Sequence, residues 1–163
     1  MRAAGFAMLV LCAVISGAAA QPTGGMAAMQ YFVGSWACKA TPAGGSTLDV
    51  FVNFVMDSGI MRERDEVTIP GNPVPYTISK SITYDQKNGR WVQAQLDGNG
   101  AWIVSTLKPW TGNTEEWLDE ASSDGKLGRN ETIRTSANEF GFRGYANPTD
   151  KKPNLDGICT RST

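Results

Sequence analysis

The chain has 163 residues, with 15 Lys and Arg against 16 Asp and Glu, a net charge of −1 and no histidine. That length fits one domain with a sizeable core, and the interspersed charges form no basic stripe for nucleic acid or an anionic membrane. Without histidine there can be no His-ligated zinc or haem and no Ser-His or Cys-His catalytic couple.

Arg2 is followed by an apolar run from Ala3 to Ile15 and by the small residues Ser16 to Ala20. This order predicts a Sec-type signal peptide over residues 1–20, cleaved after Ala20, and hence an exported, periplasmic or secreted protein. The run is too short to span a bilayer. Leu11 stands where a lipobox needs a small residue before Cys12, which argues against a lipid anchor. Cleavage leaves residues 21–163 as a single domain, removes Cys12 and, with Arg2 gone, moves the net charge to about −2. In an oxidising compartment the remaining pair, Cys38 and Cys159, reads as a disulfide; two buried free thiols are the alternative.

Gln21 to Gly25 reads as an irregular leader. Met26, Met29 and Val33 then recur at helical spacing, predicting one or two helical turns. Gly34-Ser35-Trp36 opens the first strand, in which Trp36 and Cys38 share a face. Thr41 to Ser46 is a loop by composition. From Thr47 to Met56 the residues Leu48, Val50, Val52, Phe54 and Met56 alternate with more polar ones, the pattern of a half-buried antiparallel strand. Asp57-Ser58-Gly59 turns the chain into Ile60 to Ile69, and the prolines at 70, 73 and 75 stop that strand. Tyr76 to Tyr84 follows, turned by Asn88-Gly89, a strong hairpin signal. Further strands are expected over Arg90–Leu96, Ala101–Leu107, Thr114–Asp119, Arg129–Thr135, Glu139–Ala146 and Asp156–Ser162.

Ten short strands without a long helix predict an all-β, antiparallel up-and-down barrel with a short N-terminal helical segment. An even count makes the last strand antiparallel to the first. Opposed residues on such strands share a constant sum of residue numbers, so if Cys38 faces Cys159, Trp36 faces Arg161. A guanidinium over an indole is a favourable contact, worth on the order of 1–2 kcal/mol when partly desolvated.

Gly34-Ser35-Trp36 with the late Arg161 resembles the lipocalin and calycin signature, in which a Trp on the first strand packs under an Arg from the last. Together with Gly59-Ile60-Met61-Arg62 and Ile82-Thr83-Tyr84-Asp85, the chain is similar to a lipocalin-like family of bacterial secreted proteins of unknown function. The resemblance implies a barrel holding one small, mainly apolar ligand, and this becomes the first functional expectation.

The interior of such a barrel is lined by alternate residues. Trp36, Val52 and Phe54 are the candidate ligand contacts on the early strands. Gln93, Trp102 and Phe142 are candidates on the later ones, where both faces have plausible core residues. Lys80 shares a face with Tyr76, Ile78, Ile82 and Tyr84; it either points into the cavity or lies on the outside with its stem over aromatics. Arg161, Lys80 and Gln93 are the polar groups expected to orient a ligand. Glu63 and Asp65 share a face with Met61 and Val67 and read either as a solvated strand face or as an acid–base or cation-binding pair.

Two other functions stay open. One is a cavity enzyme of isomerase or lyase type drawing on Glu63, Asp65, Lys80, Tyr76 or Tyr84. The other is an interaction or inhibitor protein with a filled barrel, binding through the rim segments Pro70–Pro75, Lys108–Asn113 and Asn147–Asn154. Nucleotide, NTPase, redox and hydrolase motifs are missing, and no cofactor or metal is expected. Asn130-Glu131-Thr132 matches an N-glycosylation acceptor. The expected form is a monomer or homodimer.

Overall fold

A computed structural model of the chain describes residues 25–107 and 112–162. The signal peptide expected over residues 1–20 and residues 108–111 of the Lys108–Asn113 segment lie outside the described residues. A 3₁₀ turn, Met26–Tyr31, precedes ten strands: β1 (Gly34–Pro42), β2 (Leu48–Asp57), β3 (Ile60–Thr68), β4 (Tyr76–Asp85) and β5 (Arg90–Asp97). The second half comprises β6 (Trp102–Leu107), β7 (Thr114–Ser122), β8 (Arg129–Ser136), β9 (Glu139–Tyr145) and β10 (Leu155–Arg161). Each strand pairs antiparallel with its neighbours in sequence, and β1 pairs with β10 to close the barrel.

The seam has the register that the pairing rule demands. Trp36 faces Arg161 and Cys38 faces Cys159, and the two cysteines form a disulfide between the first and last strands. Trp36, Cys38 and Ala40 are buried while Lys39 is exposed, so this face of β1 is interior. Following the register around the barrel puts Val52 and Phe54, then Met61, Glu63 and Asp65, then Lys80 and Ile82, on the same inner face.

The 3₁₀ turn fills one end. Met29 and Phe32 are buried there, with the Phe32 ring 5.5 Å from that of Phe54 and 5.4 Å from that of Phe140. Trp36, fully buried, packs edge-on against Phe140 at 4.8 Å and donates its indole N–H to Phe32 O at 2.7 Å. Arg161 covers the indole from 4.2 Å and donates to the carbonyls of Val33 at 2.8 Å and Tyr31 at 2.7 Å. Gly34 makes this possible: its φ is 121°, and a Cβ there would lie 3.0 Å from Arg161 Nη1. Arg161 therefore fastens the helical turn onto the barrel floor.

Because the strands run up and down, the connections alternate between ends. Residues 69–75 and 146–154 lie at the end opposite the 3₁₀ turn, whereas Asn113, whose carbonyl accepts from Arg134 N, lies at the turn's own end. The described residues of the three candidate rim segments are thus divided between the two ends of the barrel.

Candidate functional site

Above the floor the barrel encloses a cavity of about 500 Å³. Its walls are chiefly apolar, with Val52, Phe54, Ile82, Trp117, Phe140 and Phe142 among the lining side chains. Space for Phe142 comes from the strand beside it, where a Cβ on the opposed Gly157 would fall 2.3 Å from the Phe142 ring. That glycine, on β10, leaves room for the Phe142 ring where a second side chain would stand.

Into these apolar walls β3 and β4 introduce three charges. Glu63 opposes Lys80, and Asp65 stands one inward position further along β3. Lys80 Nζ donates to Glu63 Oε1 at 2.5 Å and lies 3.1 Å from Asp65 Oδ2. The side chains are 9% exposed for each acid and 18% for Lys80, so the cluster is held away from bulk water. Burial pushes the Glu63 carboxyl from its ordinary 4.5 up to about 8; the Lys80 charge opposes this, while neighbouring Asp65 reinforces it. Lys80 is held above the ordinary lysine range because the attraction of Asp65 and Glu63 outweighs the large opposing effect of burial. Among the described residues, the buried side-chain atom that accepts no hydrogen bond from any N–H or hydroxyl is Asp65 Oδ1.

A second buried acid, Glu115 on β7, also lines the cavity and is 2% exposed. Burial pushes its pKa up to about 7 against the pull of Arg134, whose Nη2 is 2.5 Å away. Arg134 Nη2 also donates to Ala28 O at 3.4 Å, so this pair joins the cavity wall to the 3₁₀ turn. Near the open end the Tyr76 hydroxyl donates to Asp97, and burial together with that acid raises the phenol to about 12.

Of the residues expected to contact a ligand, Val52, Phe54, Lys80, Gln93 and Phe142 line the cavity. The inward alternative for Lys80 is the one the barrel adopts. Glu63 and Asp65, readable from sequence as a solvated face, are inside. Three expectations need correction. Trp36 and Arg161 lie beneath the cavity as its floor, their polar groups engaged with backbone. Trp102 points outward and is 42% exposed, since the β5–β6 register sets it opposite Leu96 on the outer face and turns Ile103 inward. That register is fixed by Asp97, whose carboxylate accepts from the backbone N–H groups of Asn99 and Ala101 at 2.8 and 2.9 Å. Asn130, of the glycosylation triplet, lies in β8 and borders the cavity.

Sequence reasoning missed Glu115, Gln95 and Thr132. Glu115 had a usable signal, because two residues before Trp117 on one strand it must share that tryptophan's face. Gln95 likewise follows Gln93 by two. Thr132 carried none, since its face depends on the β8–β9 register.

No family model matches the chain, and no curated protein matches it. Among solved structures it is similar to a redesigned β-barrel, at 13% identity over 82% of this chain and 93% of that one, with a TM-score of 0.43. A de novo designed fluorescence-activating β-barrel matches at 16% identity over 82% and 95%, TM-score 0.44. A redesigned β-barrel bound to DFHBI matches at 15% identity over 81% and 96%, TM-score 0.42. At these scores the similarities carry no information about ligand or activity. It is the molecule's own strand pairing, closed through Cys38 and Cys159, that makes it a ten-stranded antiparallel β-barrel.

Proposed function

We propose that this is an exported lipocalin-like protein that holds one small, mainly apolar molecule inside its barrel. The observation that carries the reading is the cavity of about 500 Å³ with apolar walls and a few converging polar groups, a size and lining typical of small-molecule sites. Affinity comes from removing the ligand's apolar surface from water, and Lys80, Glu63, Asp65 and Gln93 give it a direction. Export is supported by the charged, apolar and small-residue order of residues 1–20, and the Cys38–Cys159 disulfide suits an oxidising compartment.

Native mass spectrometry of the protein purified from its export compartment tests the reading. The expected result is added mass that disappears on denaturation. Absence of added mass, together with no fluorescence uptake of the apolar dye N-phenyl-1-naphthylamine, overturns it and favours the rim loops as the working surface.

A cavity enzyme is the second reading, favoured by the convergence of Glu63, Asp65 and Lys80 in one pocket. A carboxyl with a pKa of about 8 is poised for proton transfer near neutral pH. Under this reading Glu63→Gln abolishes turnover of the co-purified molecule even at concentrations that fill the cavity; under simple binding there is no turnover to lose.

A further inference from the structure

Two carboxylates and one ammonium share the middle of the cavity. Burial keeps a proton on Glu63 until the pH passes about 8; above that the cluster carries one surplus negative charge, and below it a bound cation takes the place of the Glu63 proton. The cluster's cross-strand neighbours do not cancel that charge. Val52 and Phe54 oppose Asp65 and Glu63 from β2, Ile78 opposes Asp65 from β4, and Gln95 opposes Lys80 from β5. The other acid whose strand position faces the cavity, Glu115, has an arginine partner in Arg134. Asp65 lines the same space and its Oδ1 is buried without a donor; a buried acceptor left so costs free energy until one reaches it.

Building on the cavity-binding reading, we propose that the ligand is a cationic amphiphile whose ammonium, or similar N–H cation, donates to Asp65 Oδ1 while its apolar body lies against Phe54, Ile82, Trp117 and Phe142. An ammonium both supplies the missing donor and cancels the surplus charge. A hydroxyl does only the first, and a carboxylate does neither. Lys80 then serves to hold the two acids together and aim Asp65, not to receive an anion. Charge-assisted hydrogen bonds in a low-dielectric interior are the stronger kind, so head-group chemistry decides affinity among molecules with the same apolar body.

The test is calorimetric titration of the purified protein at about pH 9, where Glu63 is ionised and decylamine is still an ammonium, with decylamine, decanol and decanoate, three probes with one alkyl chain and different heads. Decylammonium is expected to bind about tenfold or more tightly than decanol, with decanoate weakest. Asp65→Asn, near-isosteric, is expected to bring amine and alcohol within about threefold of each other. Glu63→Gln should also lower the amine preference by removing the surplus charge, whereas Lys80→Met should raise it. Equal affinity for amine and alcohol in the wild type, tightest binding of decanoate, or an undiminished preference in a folded Asp65→Asn protein overturns this inference while the cavity reading stands. Failure of all three probes to bind overturns both. Should Asp65→Asn lose its near-UV circular dichroism, the wild-type series and Lys80→Met decide.

Discussion

Arg161 at the floor of the barrel and Lys80 in its cavity are both inward-facing cations, and the two are completed differently. At the floor, Arg161 gives its hydrogens to the carbonyls of Val33 and Tyr31 and its face to Trp36, leaving nothing there for a guest to do. In the cavity, Lys80 meets two acids and one carboxylate oxygen remains without a donor. The contrast separates a buried charge that holds the fold together from one that prepares a site. A satisfied ion among backbone groups is structural; a cluster with an unmet acceptor in a cavity wall is a place for a ligand.

The largest expected effect removes the closure on which the floor depends. Replacing Cys38 and Cys159 together by serine is expected to cost about 5 kcal/mol in the chain-entropy model, for a closed loop spanning 121 positions, read as a lower urea midpoint. Next, Trp36→Ala should cost about 3–5 kcal/mol, as is usual for emptying a fully buried aromatic site. Arg161→Ala strands two carbonyls and should cost roughly 1–3 kcal/mol for each that water does not reach. If the floor is purely structural, both variants lower the melting temperature but keep the amine preference of the cavity; a lost preference in a folded Arg161→Ala protein breaks the comparison.

The cavity has a signature of its own in pH. Glu63 has a folded-state pKa raised from 4.5 to about 8, so between those values the native state holds a proton that the unfolded chain has released. Stability therefore falls as pH rises from about 5 to 8, and Glu115, raised to about 7, adds in the same direction. Lys80 stays charged in both states across that window and contributes no slope. Denaturant midpoints at pH 5 and pH 8 should differ in that sense, and Glu63→Gln should flatten most of the difference. A midpoint that rises with pH contradicts the burial of this cluster. The smallest effect lies outside: Trp102→Thr should change stability by no more than about 0.5 kcal/mol and leave ligand preference untouched.

Which parts of this were legible in the sequence follows from what each depends on. The floor was readable because Trp36, Cys38, Cys159 and Arg161 lie near the chain's two ends and a single pairing assumption relates all four. The early wall was readable from the alternation of β2 alone. Lys80 was not, because its strand offers Tyr76, Ile78, Ile82 and Tyr84 on one side and a run of small hydroxyls on the other, so the side that counts as inside is settled only when Glu63 arrives opposite. That meeting depends on how the loop of residues 69–75 sets the β3–β4 register, a three-dimensional fact. Trp102 misled for the opposite reason. Hydrophobicity suggested an interior position, yet the Asp97 turn fixed a register that leaves the ring outside, against Leu96.

The bridge between Cys38 and Cys159 turns most of the chain into a covalent ring, with every hairpin from the β1–β2 loop to the β9–β10 loop inside it. A protease that cuts once at any of those loops, the proline-rich residues 69–75 included, linearises the ring without dividing the molecule. The nicked protein stays one particle of unchanged mass, apart from the added water, until a reductant releases two pieces. The same connectivity makes the barrel a natural host for relocated ends: new termini opened at a hairpin leave all ten strands tethered in their original order around the wall.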